Sequence, residues 1–146
     1  MLFPVHLERE KCSMSDLLQA RNLLEAARRD LTALTGMLKP DLFTDEIFGF
    51  HVQQAIEKSL KAWIAALGEI YPYTHDLGLL LRKLEDLGCD VSSYMDLVAY
   101  SDFAAQIRYI GVGANEDPIQ RDDVIAQVRS LYSRVNILTQ PEEASD

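Results

Sequence analysis

From residue 17 to residue 38 the apolar side chains Leu17, Ala20, Leu24, Ala27, Leu31, Leu34 and Leu38 recur at alternating steps of three and four. An α-helix turns once every 3.6 residues, so this spacing places all of them on one stripe. A strand would alternate with a period of two. The chain therefore opens its fold with a long amphipathic helix. Ser13-Met14-Ser15-Asp16 resembles a capping box at its start, with an acid three places after the Ser. Pro40, which has no N–H to donate, ends it.

The same logic predicts further helices. Thr44 is the natural N-cap of a second helix, with Asp45 and Glu46 favoured in its first turn by the helix dipole. It runs to about Leu67, where Gly68 suits the C′ position. Its apolar side carries Phe48, Val52, Ala55, Ile56, Leu60, Trp63, Ile64 and Leu67. Thr74 is the expected cap of a third helix that buries Leu77, Leu80, Leu81, Leu84 and Leu87 and stops at Gly88. Ser92 or Ser93 caps a fourth, through Leu97, Val98, Phe103, Ala104 and Ile107 to about Tyr109. Residues 110–117 read as a glycine-containing loop. Asp117 and Pro118 then supply the cap and first-turn proline of a last helix with Val124, Val128, Leu131, Val135 and Leu138.

No segment sustains strand alternation. The expected fold is all-α, an up-and-down bundle of about five helices. One domain over 1-146 is expected, with its core at about 14-138, an irregular lead-in at 1-12 and an irregular tail at 139-146.

Composition narrows the function classes. No uncharged apolar run reaches the roughly 18 to 20 residues that cross a bilayer, and the first residues lack the basic flank and apolar centre of a signal peptide. A cytoplasmic protein is expected. Cys12 and Cys89 are too few for a metal cluster or a disulfide framework, so neither a metal nor another cofactor is expected. The formal net charge of -9 argues against a surface that attracts nucleic acid everywhere, but leaves room for a local basic cleft.

Such a cleft has candidates. His51, Gln54, Lys58 and Lys61 share one side of the second helix, again at steps of three and four. They form either a solvated, salt-bridged face or a phosphate-facing wall. Glu57 and Lys61 make an i, i+4 pair of the favoured orientation. Gln53 and Gln54 can equally be amides that tie helices together. His75 lies at the start of the third helix, as a base or acid near free N–H groups that favour an anion, or as a local structural bond. Asp76 in the same turn is explained by the helix dipole. Arg108, before the glycine loop, either grips a phosphate bidentately or pairs with a carboxylate or carbonyls.

Three segments carry a family resemblance. Phe50-His51-Val52-Gln53-Gln54-Ala55-Ile56-Glu57-Lys58-Ser59-Leu60-Lys61-Ala62 resembles the HEPN signature, in which a QQA-x-EK-x-LKA run lies on a central helix. Tyr73-Thr74-His75-Asp76-Leu77 resembles the family's THDL segment, and Arg108-Tyr109 resembles its Arg-Tyr pair. The resemblance covers roughly residues 14–138. It implies a homodimer of helical bundles and a partner nucleotidyltransferase (MNT) antitoxin encoded next door. Many members are metal-independent ribonuclease toxins, and others bind nucleotides.

Ribonuclease members use an Arg followed four to six residues later by a His. Here no His follows Arg108, and Asn115, with six residues between it and Arg108, stands where such a His would stand. A neutral amide can hydrogen-bond but cannot take a proton as imidazole does. The resemblance thus implies RNA or nucleotide phosphate as ligand, with Arg108 central and His75 or His51 as base. Lys58, Lys61, Gln54 and Asn115 would assist binding. Tyr109 is a candidate for nucleotidylation or for packing at the bundle edge. The alternative is a non-catalytic module that binds a nucleotide or a nucleotidyltransferase.

Overall fold

The computed structural model describes residues 12–103 and 118–140. Arg108, Tyr109 and Asn115 lie outside them, as do the predicted loop at 110–117, the lead-in to residue 11 and the tail from residue 141. Four α-helices and one 3₁₀ helix make up the described regular structure, and no strand occurs among the described residues. They are α1 (Met14–Thr35), α2 (Asp45–Ala66), α3 (Leu77–Asp86), the 3₁₀ helix (Ser92–Asp102) and α4 (Arg121–Thr139).

The first helix starts as its sequence predicts. Ser13 accepts from the Asp16 N–H, and the Asp16 carboxylate accepts from the Ser13 N–H, a full capping box. Ala20, Leu24, Ala27, Leu31 and Leu34 form its buried stripe. Leu38 is a correction. The helix stops at Gly36, before Pro40, and Leu38 is exposed beyond it.

Helix α2 is the centre of the bundle and packs against every other described helix. Thr44 caps it by accepting from the Ile47 N–H. It is buried nearly all round, including Gly49, Ala55, Ala62, Ala65 and Ala66, whose small side chains let neighbours close in. Phe48, Ile56, Leu60 and Ile64 are fully enclosed, and each contributes about 1.5–3 kcal/mol by leaving water. The helix ends in a Schellman motif, with Gly68 at φ 78 and Glu69 N–H bonded to the Ile64 carbonyl. Gly88, at φ 89, ends α3 the same way, with Cys89 N–H on the Leu84 carbonyl.

Three predicted starts are displaced. The cap of α3 is Asp76, not Thr74: the Asp76 carboxylate accepts from the Gly78 and Leu79 N–H groups, while Thr74 Oγ1 accepts from the Asp76 N–H one step upstream. The fourth element is a 3₁₀ helix without a serine cap, because Ser92 spends its hydroxyl donating to Asp90 Oδ1. Val91 just before it and its own buried residues Tyr94 and Leu97 recur every three residues, the repeat of a 3₁₀ turn. Helix α4 begins at Arg121, so Pro118 precedes it rather than sitting in its first turn.

Arg121 fixes that start. Its guanidinium, 4% exposed, donates to the carbonyls of Met37 and Phe43 and to Asp45 Oδ1, and lies 4.7 Å over the Phe48 ring. The α1–α2 connector is thereby tied to α4.

Candidate functional site

The polar side of α2 is organised around two carboxylates. Glu57 is the inner one, its side chain only 8% exposed. Its Oε2 accepts from Lys61 Nζ at 2.9 Å, and its Oε1 accepts from Gln53 Nε2 at 2.8 Å and from His75 Nδ1 at 2.9 Å. Burial alone would raise its pKa. The donors from Lys61, Gln53 and His75 outweigh that and hold the carboxyl below its ordinary value. Gln53, fully buried, also donates to the His75 backbone carbonyl at 3.2 Å. The connector before α3 is thus bonded to α2 through both the main chain and the side chain of His75.

The second carboxylate is Asp30 on α1. It accepts from Lys58 Nζ at 2.6 Å and from His51 Nδ1 at 3.2 Å. The predicted stripe therefore divides: His51 and Lys58 reach across to α1, whereas Lys61 folds onto Glu57. Gln54 donates to Gln53 Oε1 at 2.7 Å and supports the buried amide. Both lysines carry a charge that a carboxylate already balances. The stripe is a pair of ion clusters, not an uncompensated basic wall.

The two histidines differ. The His51 side chain is 30% exposed and its ring meets Phe50 edge-on. The His75 side chain is 73% exposed. Because an ionised carboxylate only accepts, Nδ1 of His75 must carry the proton. In the neutral ring Nε2 is then a lone-pair acceptor, the state a general base requires.

His75 borders an open groove of about 710 Å³ lined by Thr74, Asp76, Val98, Ser101 and Asp102 among others. The first N–H groups of α3 already have partners within the chain. Ser101 Oγ takes the Leu77 N–H at 2.9 Å, and Asp76 takes those of Gly78 and Leu79. The Asp76 carboxylate is thus the cap of the helix, favoured there by the helix dipole. His75 itself precedes the cap instead of following it.

A second groove, of about 610 Å³, runs beside α1 and is lined by Gln19, Asn22, Lys58 and Tyr71 among others. Tyr71 accepts from Gln19 Nε2 at 3.1 Å, and Lys61 Nζ lies 5.5 Å above its ring. No group of His, Cys, Asp and Glu among the described residues could hold a metal ion. No described helix is long and apolar enough to cross a membrane.

Asp30 was not singled out by sequence reasoning. Its signal was its place beside Ala27, Leu31 and Leu34, an acid on the flank of a buried stripe. Arg121 was also missed, because nothing local marks a cation at a helix start as buried.

The HEPN domain family model matches residues 20–138. No curated protein and no solved structure matches the chain.

Proposed function

The chain belongs to the HEPN domain family, and on that footing we propose that it binds RNA or nucleotide phosphate and cleaves RNA without a metal. His75 is the general base and Arg108 the phosphate-binding residue. The observation that carries this reading is the Glu57–His75 contact, an exposed imidazole held in one tautomer by a buried carboxylate. Such a partner orients the ring and stabilises the imidazolium once it forms. It answers the absence of a His downstream of Arg108, since the base comes from another segment.

In this mechanism His75 Nε2 removes the proton from a ribose 2′-hydroxyl. The oxygen attacks the adjacent phosphorus, the 5′-oxygen of the next nucleotide leaves, and a 2′,3′-cyclic phosphate forms. The leaving oxygen takes a proton from the imidazolium or from water. Arg108, six residues beyond Asp102 in sequence, neutralises the charge on the phosphorane. His51 is the weaker choice of base, being more enclosed and sharing Asp30 with Lys58. The protein acts as a homodimer and pairs with a nucleotidyltransferase antitoxin, which holds the activity in check. Tyr109 is the side chain such a partner would modify.

One observation favours a second reading. Lys58 and Lys61 are already balanced by Asp30 and Glu57, as suits a module that binds a protein or nucleotide and does no chemistry. Expression in a bacterial host separates the two. Growth arrest that Arg108→Ala abolishes, and that a co-expressed nucleotidyltransferase from the adjoining reading frame relieves, supports the toxin. Arrest undiminished by Arg108→Ala removes Arg108 from the account, and no arrest at all favours the binding module.

A further inference from the structure

Two residues before His75 stands a tyrosine with no packing role. Tyr73 is 103% exposed, as open as in an extended peptide, and Ile70 nearby is 90% exposed. A single exposed apolar residue is ordinary. The setting of Tyr73 is not. The connector that carries it is fixed on both sides of the ring. Thr74 N–H bonds to the Pro72 carbonyl at 3.0 Å, Tyr71 is held by Gln19, and the His75 carbonyl is held by Gln53. Pro72, immediately before it, restricts the backbone further. The ring is thus presented to solvent from an anchored segment.

We propose that Tyr73 is a stacking platform for an unpaired base next to the phosphate at His75. The proposal rests on the reading of His75 as the base. Two residues of extended backbone span at most about 7 Å, so a base adjoining that phosphate lies within reach of the ring. Bases in a duplex are already stacked and cannot offer a face, whereas a loop or free strand can. Stacking tolerates any sequence, because every base has a π-face. It also adds affinity without a positive charge, which suits a groove rimmed by Asp76 and Asp102.

The test is fluorescence anisotropy with a labelled single-stranded oligoribonucleotide containing a 2′-deoxy block against cleavage, and the same sequence as a duplex. The full-length protein binds the single strand better than the duplex. Tyr73→Ala weakens single-strand binding about tenfold, while Tyr73→Phe and Tyr73→Trp retain it. Because Tyr73 is wholly exposed, an unchanged melting temperature is expected in all three Tyr73 variants. Equal binding by Tyr73→Ala and wild type overturns the platform and leaves His75 untouched. No RNA binding by the wild type overturns the reading beneath it. Loss of self-association in Tyr73→Ala with RNA affinity unchanged assigns the ring to a protein interface and overturns the proposal.

Discussion

Glu57 Oε1 accepts a 2.9 Å hydrogen bond from His75 Nδ1, joining the middle of α2 to the connector that leads into α3. The same carboxylate holds Lys61 and Gln53. Glu57 is therefore both a structural hub and the group that orients the exposed imidazole. The two roles can be separated by substitution.

Glu57→Ala leaves the Lys61 ammonium without its carboxylate, and the Gln53 amide with the His75 carbonyl alone, in a site with little access to water. Removing one member of an enclosed ion pair costs about 3 kcal/mol or more. Urea denaturation of this variant is expected to show that loss. A loss under about 1 kcal/mol would mean that water replaces the carboxylate freely.

Acid should weaken this hub in a defined window. The folded-state pKa of Glu57 lies below its ordinary 4.5. Its contribution to stability is complete above that pH and disappears as pH falls through the lower, folded value. Glu57→Gln cannot ionise and has no such dependence. The melting-temperature gap between wild type and Glu57→Gln should be widest at neutral pH and shrink below about pH 4.5. A gap that is constant from neutral pH to pH 3 would contradict the assignment.

Arg121 predicts a loss at a site remote from the chemistry. Arg121→Ala strands two carbonyls and Asp45, and opens space against Phe48. About 3 kcal/mol of stability should go with it. Arg121→Lys should recover only part, since an ammonium cannot reproduce the fork of bonds. Full stability in either variant, read by denaturant midpoint, would refute the clamp.

Gly49 tests the contact of α2 with the end of the 3₁₀ helix. A Cβ placed on Gly49 would run into the Phe103 ring. Overpacking costs roughly 1–3 kcal/mol, against a helix-propensity gain of up to about 1 kcal/mol. Gly49→Ala should thus be destabilising with Phe103 present and stabilising in a Phe103→Ala background. A double-mutant cycle with no coupling would deny the contact.

Much of the fold was legible in the sequence, and the reasons are physical. The α1 stripe, its capping box, the Thr44 cap and the two terminal glycines are local signals, and the structure follows them. Where two local acceptors compete, local signals do not decide between them. Thr74 and Asp76 both suit a cap, and the carboxylate won the first turn of α3 while the hydroxyl bonded to Asp76. The period-three run Val91, Tyr94, Leu97 was present in the sequence but resembles a weak α stripe. The candidate site was legible in part. The pairing of Glu57 with Lys61 followed from spacing. The partition of His51 and Lys58 to Asp30, and of His75 to Glu57, depends on how helices cross, which no local pattern encodes. The bond from the Leu77 N–H to Ser101 was illegible for the same reason, since Ser101 arrives from another element.

In the proposed reaction His75, oriented by Glu57, is the base of a metal-independent cleavage of single-stranded RNA. The most direct measurement is cleavage of a defined oligoribonucleotide by the purified protein in excess chelator, with the product ends identified. Products ending in 2′,3′-cyclic phosphate are expected. His75→Ala should lose at least about a hundredfold in rate, as removal of a general base requires. Glu57→Gln should lower kcat with KM nearly unchanged. Wild type that leaves the RNA intact, or a His75→Ala variant that cleaves as well as wild type, would contradict it.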